Sequence, residues 1–243
     1  MMNILLTGSD GFIGRHLHNF LKTNHKVICI DKETGNDLLS CDLKHSVDLV
    51  IHLAGLSGVR DSLGRPEEYW VQNVIAGQRL FDFFKDTRIL YASSSTAHEP
   101  WKNPYAMSKY SLERIAPANS MGMRFTTVYG PNARETMLIP RILRNDVPYI
   151  NTNHSRDFLH VDDLVRAIDT LMKSNLRGVT DIGSGTTNNL VELIEYFGID
   201  CERVVGEQSE RLDNLADNTL LNKIGWSPKI NLYDYIKENR NDN

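Results

Sequence analysis

At 243 residues, with 41% hydrophobic and 24% charged residues, the chain is long enough for one large domain, or a domain with a smaller lobe, around a sizeable buried core. A net charge of −4 without any Lys/Arg run excludes a nucleic-acid partner, and no stretch approaches the ~20 apolar residues that would span a membrane. The three cysteines, Cys29, Cys41 and Cys201, and the eight histidines show no metal-ligand spacing, so a reduced cytoplasmic setting without a metal is expected.

The opening "MMNILLTG" lacks the basic start and the long apolar run of a secretory signal and reads instead as a buried strand. It runs into "TGSDGFIG", which sets Gly8, Gly11 and Gly14 between that strand and the helical pattern "GRHLHNFLK". Glycines there permit a tight turn and let backbone approach a pyrophosphate at the positive end of a helix. The spacing is G-x-x-G-x-x-G, and it is the strand–turn–helix setting that gives it weight.

"KVICID" is the second strand, ending at Asp31, 17 residues beyond Gly14. An acid at that place accepts hydrogen bonds from ribose hydroxyls and repels a 2′-phosphate, which favours NAD over NADP, although the adjoining Lys32 softens the repulsion. Asp42 fits either a contact with the adenine amine or a cap on a following short helix. "DLVIHLAG", "RILYASS" and "GMRFTTVYG" continue the strands, and "PEEYWVQNVIAGQRLFDFFK" and "PYAMSKYSLERIA" the helices. This alternation predicts an α/β fold, a Rossmann-type doubly wound parallel sheet. After Pro131 the rhythm loosens. A helix is expected in "ETMLIPRILRN", a strand and helix in "SRDFLHVDDLVRAIDTLMK", a strand in "GVTDIGS" and short helices in "NNLVELIEYF", "NTLLNKIG" and "NLYDYIKEN". With no linker or repeat in sight, a small C-terminal lobe interleaved with the first domain is expected. The nucleotide domain would take residues 1–130 and about 155–185, and the lobe about 131–154 and 186–243.

The motifs "TGSDGFIG", "HLAG", "YASSS", "YAMSK", "RFTTVYGP" and "SRDFLHVDDLVRA", in this order, resemble the extended short-chain dehydrogenase/reductases, in their NAD-dependent nucleotide-sugar epimerase/dehydratase branch. The likeness covers almost the whole chain, down to "LADNTLLNKIGWSP", and is greatest to UDP-sugar 4-epimerases, including those acting on UDP-glucuronate. It implies NAD contacts from Gly8, Gly11, Phe12, Ile13, Gly14, Asp31, Asp42, Leu43, Leu53, Ala54 and Gly55, and a catalytic set of Ser95, Tyr105 and Lys109. The pattern Y-x-x-x-K is weak alone and recurs as Tyr233–Lys237. Tyr105–Lys109, however, follows the strand ending in "ASSS" and opens a helix, where residues four apart share a face. Tyr233–Lys237 sits in the tail and is expected to pack as a helix face.

A free tyrosine has a pKa near 10, and an adjacent ammonium favours its phenolate. The resemblance therefore implies that Tyr105 takes the proton of the sugar 4-hydroxyl while carbon 4 gives hydride to NAD+, and that the flat 4-keto sugar turns over and takes the hydride back on its other face. Lys109 would also hold the nicotinamide ribose, and Ser95 the reacting hydroxyl. Ser94 fits equally a substrate contact or a hydroxyl satisfying local backbone. Arg134, Arg156 and Arg211 are the candidates for the anionic groups of a UDP-linked substrate. Related dehydratases carry an Asp-Glu pair where this chain has Thr96 and Ala97, which disfavours elimination. A 4-keto-sugar reductase or dehydrogenase needs the same Ser/Tyr/Lys set, and a non-catalytic dinucleotide sensor is the third reading. The resemblance also implies a helical homodimer face. Shortened segments after Asp31, between Ser95 and Tyr105, and after Lys109 put that dimer and the closed sugar pocket in question.

Overall fold

The computed structural model describes residues 1–240. The chain forms two compact units, Met1–Arg124 with Leu171–Thr180, and Phe125–Thr170 with the residues from Asp181 onward. The first unit thus takes residues 1–124 and 171–180, where a nucleotide domain of 1–130 and about 155–185 was expected. The elements of the first stretch are β1 (Asn3–Thr7), α1 (Phe12–Leu21), β2 (Lys26–Ile30), β3 (Leu49–His52), α2 (Val59–Gly64), α3 (Pro66–Trp70), α4 (Ala76–Phe83), β4 (Arg88–Ser94), α5 (Pro104–Ile115) and β5 (Ser120–Phe125). Then come β6 (Thr127–Tyr129), α6 (Leu138–Leu143), β7 (Tyr149–Asn151), β8 (Ser155–His160), α7 (Val161–Met172) and β9 (Gly178–Ile182). β10 (Thr187–Asn189), α8 (Leu190–Tyr196), β11 (Glu202–Val204), α9 (Thr219–Lys223) and α10 (Leu232–Asn239) complete the order.

The first unit is built on a six-stranded sheet in the order β2-β1-β3-β4-β5-β9, to which this unit contributes Gly178–Thr180 of β9. β1 runs parallel to both β2 and β3, and β3 parallel to β4. Apolar residues fill both faces of these strands. Ile4, Leu5, Leu6, Val50, Ile51, Ile89 and Leu90 are all fully buried, each such side chain stabilising the fold by about 1.5–3 kcal/mol. Leu80 and Phe81 of α4 and Leu112 of α5 join Leu5, Val50, Ile89 and Tyr91 in one core cluster. Because β1 lies between β2 and β3, the chain turns outward on one side of it and returns on the other. Thr7 is in register with Ile30 and His52, and His52 with Tyr91. The residues after these strands therefore emerge level, at the switch point where open α/β sheets take ligands.

The long helix expected after residue 65 forms from Pro66 to Phe83, but Val71–Ile75 in its middle is a π-helical turn. No helix follows Asp42, contrary to the capping alternative. Its Oδ1 accepts the Lys44 N–H at 2.9 Å in a local turn, a side-chain to backbone bond that substitutes for helix.

In the second unit, β8 pairs antiparallel with β10 and parallel with β6, and β7 with β11. "GMRFTTVYG", read as one strand, is therefore two, β5 and β6, in different sheets. Tyr129, Ile139, Ile142, Ile150, Phe158, Leu193, Ile194 and Ile236 make its core. Two buried carboxylates tie distant segments to it. Asp157 accepts from Ser184 N–H (2.6 Å), Gly185 N–H (3.0 Å) and Ala216 N–H (3.1 Å). Asp163 accepts from Lys229 N–H and Ile230 N–H, both at 2.9 Å, while its own carbonyl takes the Trp226 indole N–H. That is why "SRDFLHVDD" and "LADNTLLNKIGWSP" occur together: each supplies donors or acceptors the other buries. The short strands β7, β10 and β11 carry too few residues to show a period.

Candidate active site

The glycine turn is a close backbone contact. Gly8 has φ +73°, and a Cβ on it would meet Ala54 N at 2.6 Å; on Gly14 it would meet Gly8 O at 1.9 Å. No side chain caps the first turn of α1, whose N-cap is Gly11. Its N–H groups and the positive end of its dipole are left for an anion. Asp31, ending β2, has each oxygen fixed by backbone: Oδ2 by Asp10 N–H (2.9 Å) and Oδ1 by Glu33 N–H (3.0 Å). A carboxylate oxygen accepts more than one donor, so both keep capacity for ribose hydroxyls. Thr7 Oγ1 is bonded to His52 Nδ1 (2.7 Å) and accepts from Ala54 N–H (3.3 Å), which holds the loop after β3 against the end of β1. His52 is neutral: burial, helped by the Lys109 charge, pulls its pKa down to about 3. Phe12, Ile13, Leu53 and Ala54 are half-buried and Gly55 is exposed. The Leu43 side chain lies in the core, so a cofactor contact there is restricted to its backbone. The cradle that any Cβ would fill, the uncapped helix start and the pinned acid fit a dinucleotide without a 2′-phosphate.

The second half of the site follows β4. Ser94 caps the 3-10 turn Ser95–His98, its Oγ accepting from Thr96 N–H (3.2 Å) and Thr96 Oγ1 (2.9 Å), which is the local-backbone role weighed for it. Ser95 follows, buried at 5% exposure. α5 begins where Asn103 Oδ1 accepts Ala106 N–H (2.8 Å) with Pro104 in the first turn, a well-formed start for a helix. Tyr105 therefore stands in that first turn, half-buried, its ring edge-on to Tyr69 at 6.1 Å. Lys109 is one turn further and buried, and Nζ donates to Ala92 O (3.1 Å) at the end of β4. Burial lowers its pKa to about 8, against the opposing pull of Glu113. Gly55 makes room for this pair of elements. A Cβ there would come within 2.7 Å of Asn73 Oδ1 and 3.4 Å of Lys109 Nζ.

Two further residues, Asn73 and Glu113, hold the site's elements together. The Asn73 amide accepts from Leu56 N–H (2.7 Å) and donates to Leu56 O (3.0 Å) and Ser108 Oγ (2.9 Å), from within the π turn. Glu113 accepts from Ser93 Oγ (2.5 Å) and takes both arms of Arg124, Nε at 2.8 Å and Nη2 at 2.6 Å. The signal for Glu113 was its place four residues after Lys109.

The other tyrosine pair is structural. Tyr233 stacks on Phe197 at 5.9 Å and meets Tyr196 edge-on at 4.9 Å, with Lys237 Nζ 5.2 Å from the Tyr196 ring. Burial raises the Tyr233 pKa, the wrong direction for a base. Tyr233→Phe is expected to leave turnover unchanged and stability within about 0.5 kcal/mol of the parent, measured by assay and thermal melting. In the second unit, Arg134 is exposed and Arg211 half-buried. The Arg156 guanidinium donates to Ser155 O (2.8 Å), Leu212 O (3.2 Å) and Glu210 Oε2 (3.3 Å). Arg60 and His98 are exposed, and Glu99 pairs with Lys102 at 3.0 Å. Among the described residues no cluster of His, Cys, Asp or Glu could hold a metal ion.

Residues 4–183 match the model of the NAD dependent epimerase/dehydratase family. A UDP-glucuronate 4-epimerase of Thermodesulfobacterium geofontis is 25% identical over 313 aligned positions, covering 98% of this chain and 94% of the relative. The structure of UDP-glucuronic acid 4-epimerase from Bacillus cereus, in complex with UDP-glucuronic acid and NAD, is similar with a TM-score of 0.83 and 27% identity. That likeness covers 98% of this chain and 99% of the other. MoeE5 in complex with UDP-glucose and NAD gives a TM-score of 0.86 at 28% identity, over 98% and 97% of the two chains.

Proposed function

Because the chain belongs to the NAD-dependent epimerase/dehydratase family, we propose that it is a nucleotide-sugar 4-epimerase acting on a UDP-linked hexose or hexuronate. The observation that carries the reading is the Tyr105–Lys109 pair on one face of a helix whose lysine is buried at the ends of β3 and β4, in the same unit as the glycine cradle. Gly8, Gly11, Phe12, Ile13, Gly14, Asp31, Leu53, Ala54 and Gly55 are assigned to NAD, with Asp42 and the Leu43 backbone at its adenine end. NAD supplies the site with a hydride acceptor that becomes the donor for the return. The chain's own residues manage the proton. Tyr105 takes it from the 4-hydroxyl, Lys109 stabilises the phenolate by its charge, and Ser95 orients the hydroxyl. Thr96 and Ala97 place no acid after the serine, which favours simple return of the hydride over elimination.

Arg156 and Arg211 are assigned to the diphosphate and Arg134 to a sugar carboxylate. Glu210 is the anionic partner a diphosphate would replace on Arg156. The cofactor assignments fall in the first compact unit and the arginines in the second. A homodimer is proposed as well, since Trp70, Val71 and Ile75 on one helix and Met107, Tyr110 and Ile115 on α5 are exposed, more apolar side chains than scattered surface positions account for. The setting proposed is the cytoplasm, where the three free cysteines would stay reduced.

One experiment tests the reaction, the cofactor and the dimer: native mass spectrometry of the purified protein, with a UDP-sugar panel assayed without added cofactor. A dimer carrying NAD that interconverts two 4-epimers is the expected result. A protein inert until NAD(P)H is supplied would replace the epimerase with a 4-keto-sugar reductase, and one inert in both conditions would leave the sensor.

A further inference from the structure

Tyr105, Lys109 and Glu113 stand at successive four-residue steps and so share one face of α5. The Glu113 side chain is only 4% exposed, and a buried carboxylate is costly unless its oxygens are satisfied. Here they are, from two other elements: the Ser93 hydroxyl at the end of β4, and both arms of the Arg124 guanidinium on β5. Arg124 in turn reaches the His98 ring, 3.3 Å away in the turn that begins at Ser95. The fork geometry of arginine fixes the carboxylate plane.

We propose that Glu113 is a positioning residue for the Tyr105–Lys109 pair: clamped by Ser93 and Arg124, it fixes the register of α5 on the sheet and keeps the Lys109 ammonium charged at neutral pH. The groups facing Lys109 from the elements around it make the sign definite. His52 on β3 is neutral, and Tyr91 on β4 is held protonated by burial and by Glu113. Tyr69 on α3 meets the pair through its ring contact with Tyr105. Arg124 on β5 adds positive charge, not negative. Glu113 is the acid that opposes the desolvation of Lys109. Without it, the ammonium would give up its proton within the neutral range, and the phenolate would lose its support.

The proposal rests on the reading of Tyr105–Lys109 as the reacting pair for its catalytic meaning, but its test does not need turnover. Protein labelled with 13C at lysine Cε is titrated by NMR, with the Lys109 signal assigned from the Lys109→Met variant. The midpoint for Lys109 is expected near 8 in the parent, and lower by about one pH unit in Glu113→Gln. Arg124→Gln, which removes the cation from Glu113 but keeps the acid, is expected to raise the midpoint. A Glu113→Gln midpoint equal to that of the parent overturns the proposal. If that variant does not fold, a rise in the Arg124→Gln midpoint upholds the proposal, and no change or a fall overturns it. Shifts of the expected signs in a protein without epimerase activity would leave the positioning role standing and remove only the proposed reaction.

Discussion

Tyr105→Phe is expected to lower kcat by about a thousandfold while leaving both the fold and NAD retention intact. The ring of Tyr105 meets Tyr69 edge-on, and phenylalanine keeps that contact. Lys109 keeps its bond to Ala92 O. What the variant loses is the one oxygen proposed to carry the substrate's proton, so the defect belongs in kcat and not in folding. The measurement is steady-state turnover on the sugar identified by the panel, with cofactor content read by mass spectrometry and stability by melting. Parent-like turnover would refute the mechanism outright. A loss of cofactor together with activity would mean that the hydroxyl is part of the nucleotide site.

Gly14→Ala should cost about 2 kcal/mol or more of stability and abolish NAD retention, for a different reason. An added methyl carbon would stand 1.9 Å from Gly8 O and 2.9 Å from Ser9 Cα, both of them backbone atoms that no rotamer change can move. Relief requires α1 to back away from β1, and that opens the cradle. Gly35→Ala is the control. Gly35 has φ +83° but nothing within 4 Å of its added Cβ, so it carries only the left-handed strain of about 1 kcal/mol. Equal losses in the two variants would show that the close approach at Gly14 costs no more than left-handed strain does at Gly35.

The sheet was readable because buried parallel strands are apolar on both faces: "NILLT" and "LVIH" admit no other use. The site was readable because its residue types and its spacing both derive from chemistry, as with an acid ending β2 or a tyrosine and lysine one turn apart. What escaped was set by tertiary hydrogen bonds. The division of β5 from β6 falls at Thr126, whose N–H donates to Ile182 O, 56 residues on. Neither a glycine nor a proline marks the place. Glu113 had one visible cue, its spacing from Lys109, while its partners lie 20 and 11 residues away. The π turn around Asn73 leaves no periodicity to detect, since a single extra residue per turn is absorbed within an amphipathic helix. Asp42 shows the converse: a capping residue by type, with no helix behind it to cap.

The Asn73 amide gives a mechanical unity to parts of the sequence that look independent. By holding both polar groups of Leu56 and the hydroxyl of Ser108, it rivets the loop that follows β3 to the middle of α5. The wall assigned to the cofactor and the helix assigned to the chemistry then move as one piece. A protein with so short a passage from serine to tyrosine has little chain with which to correct an error of placement. The rivet lets it dispense with correction.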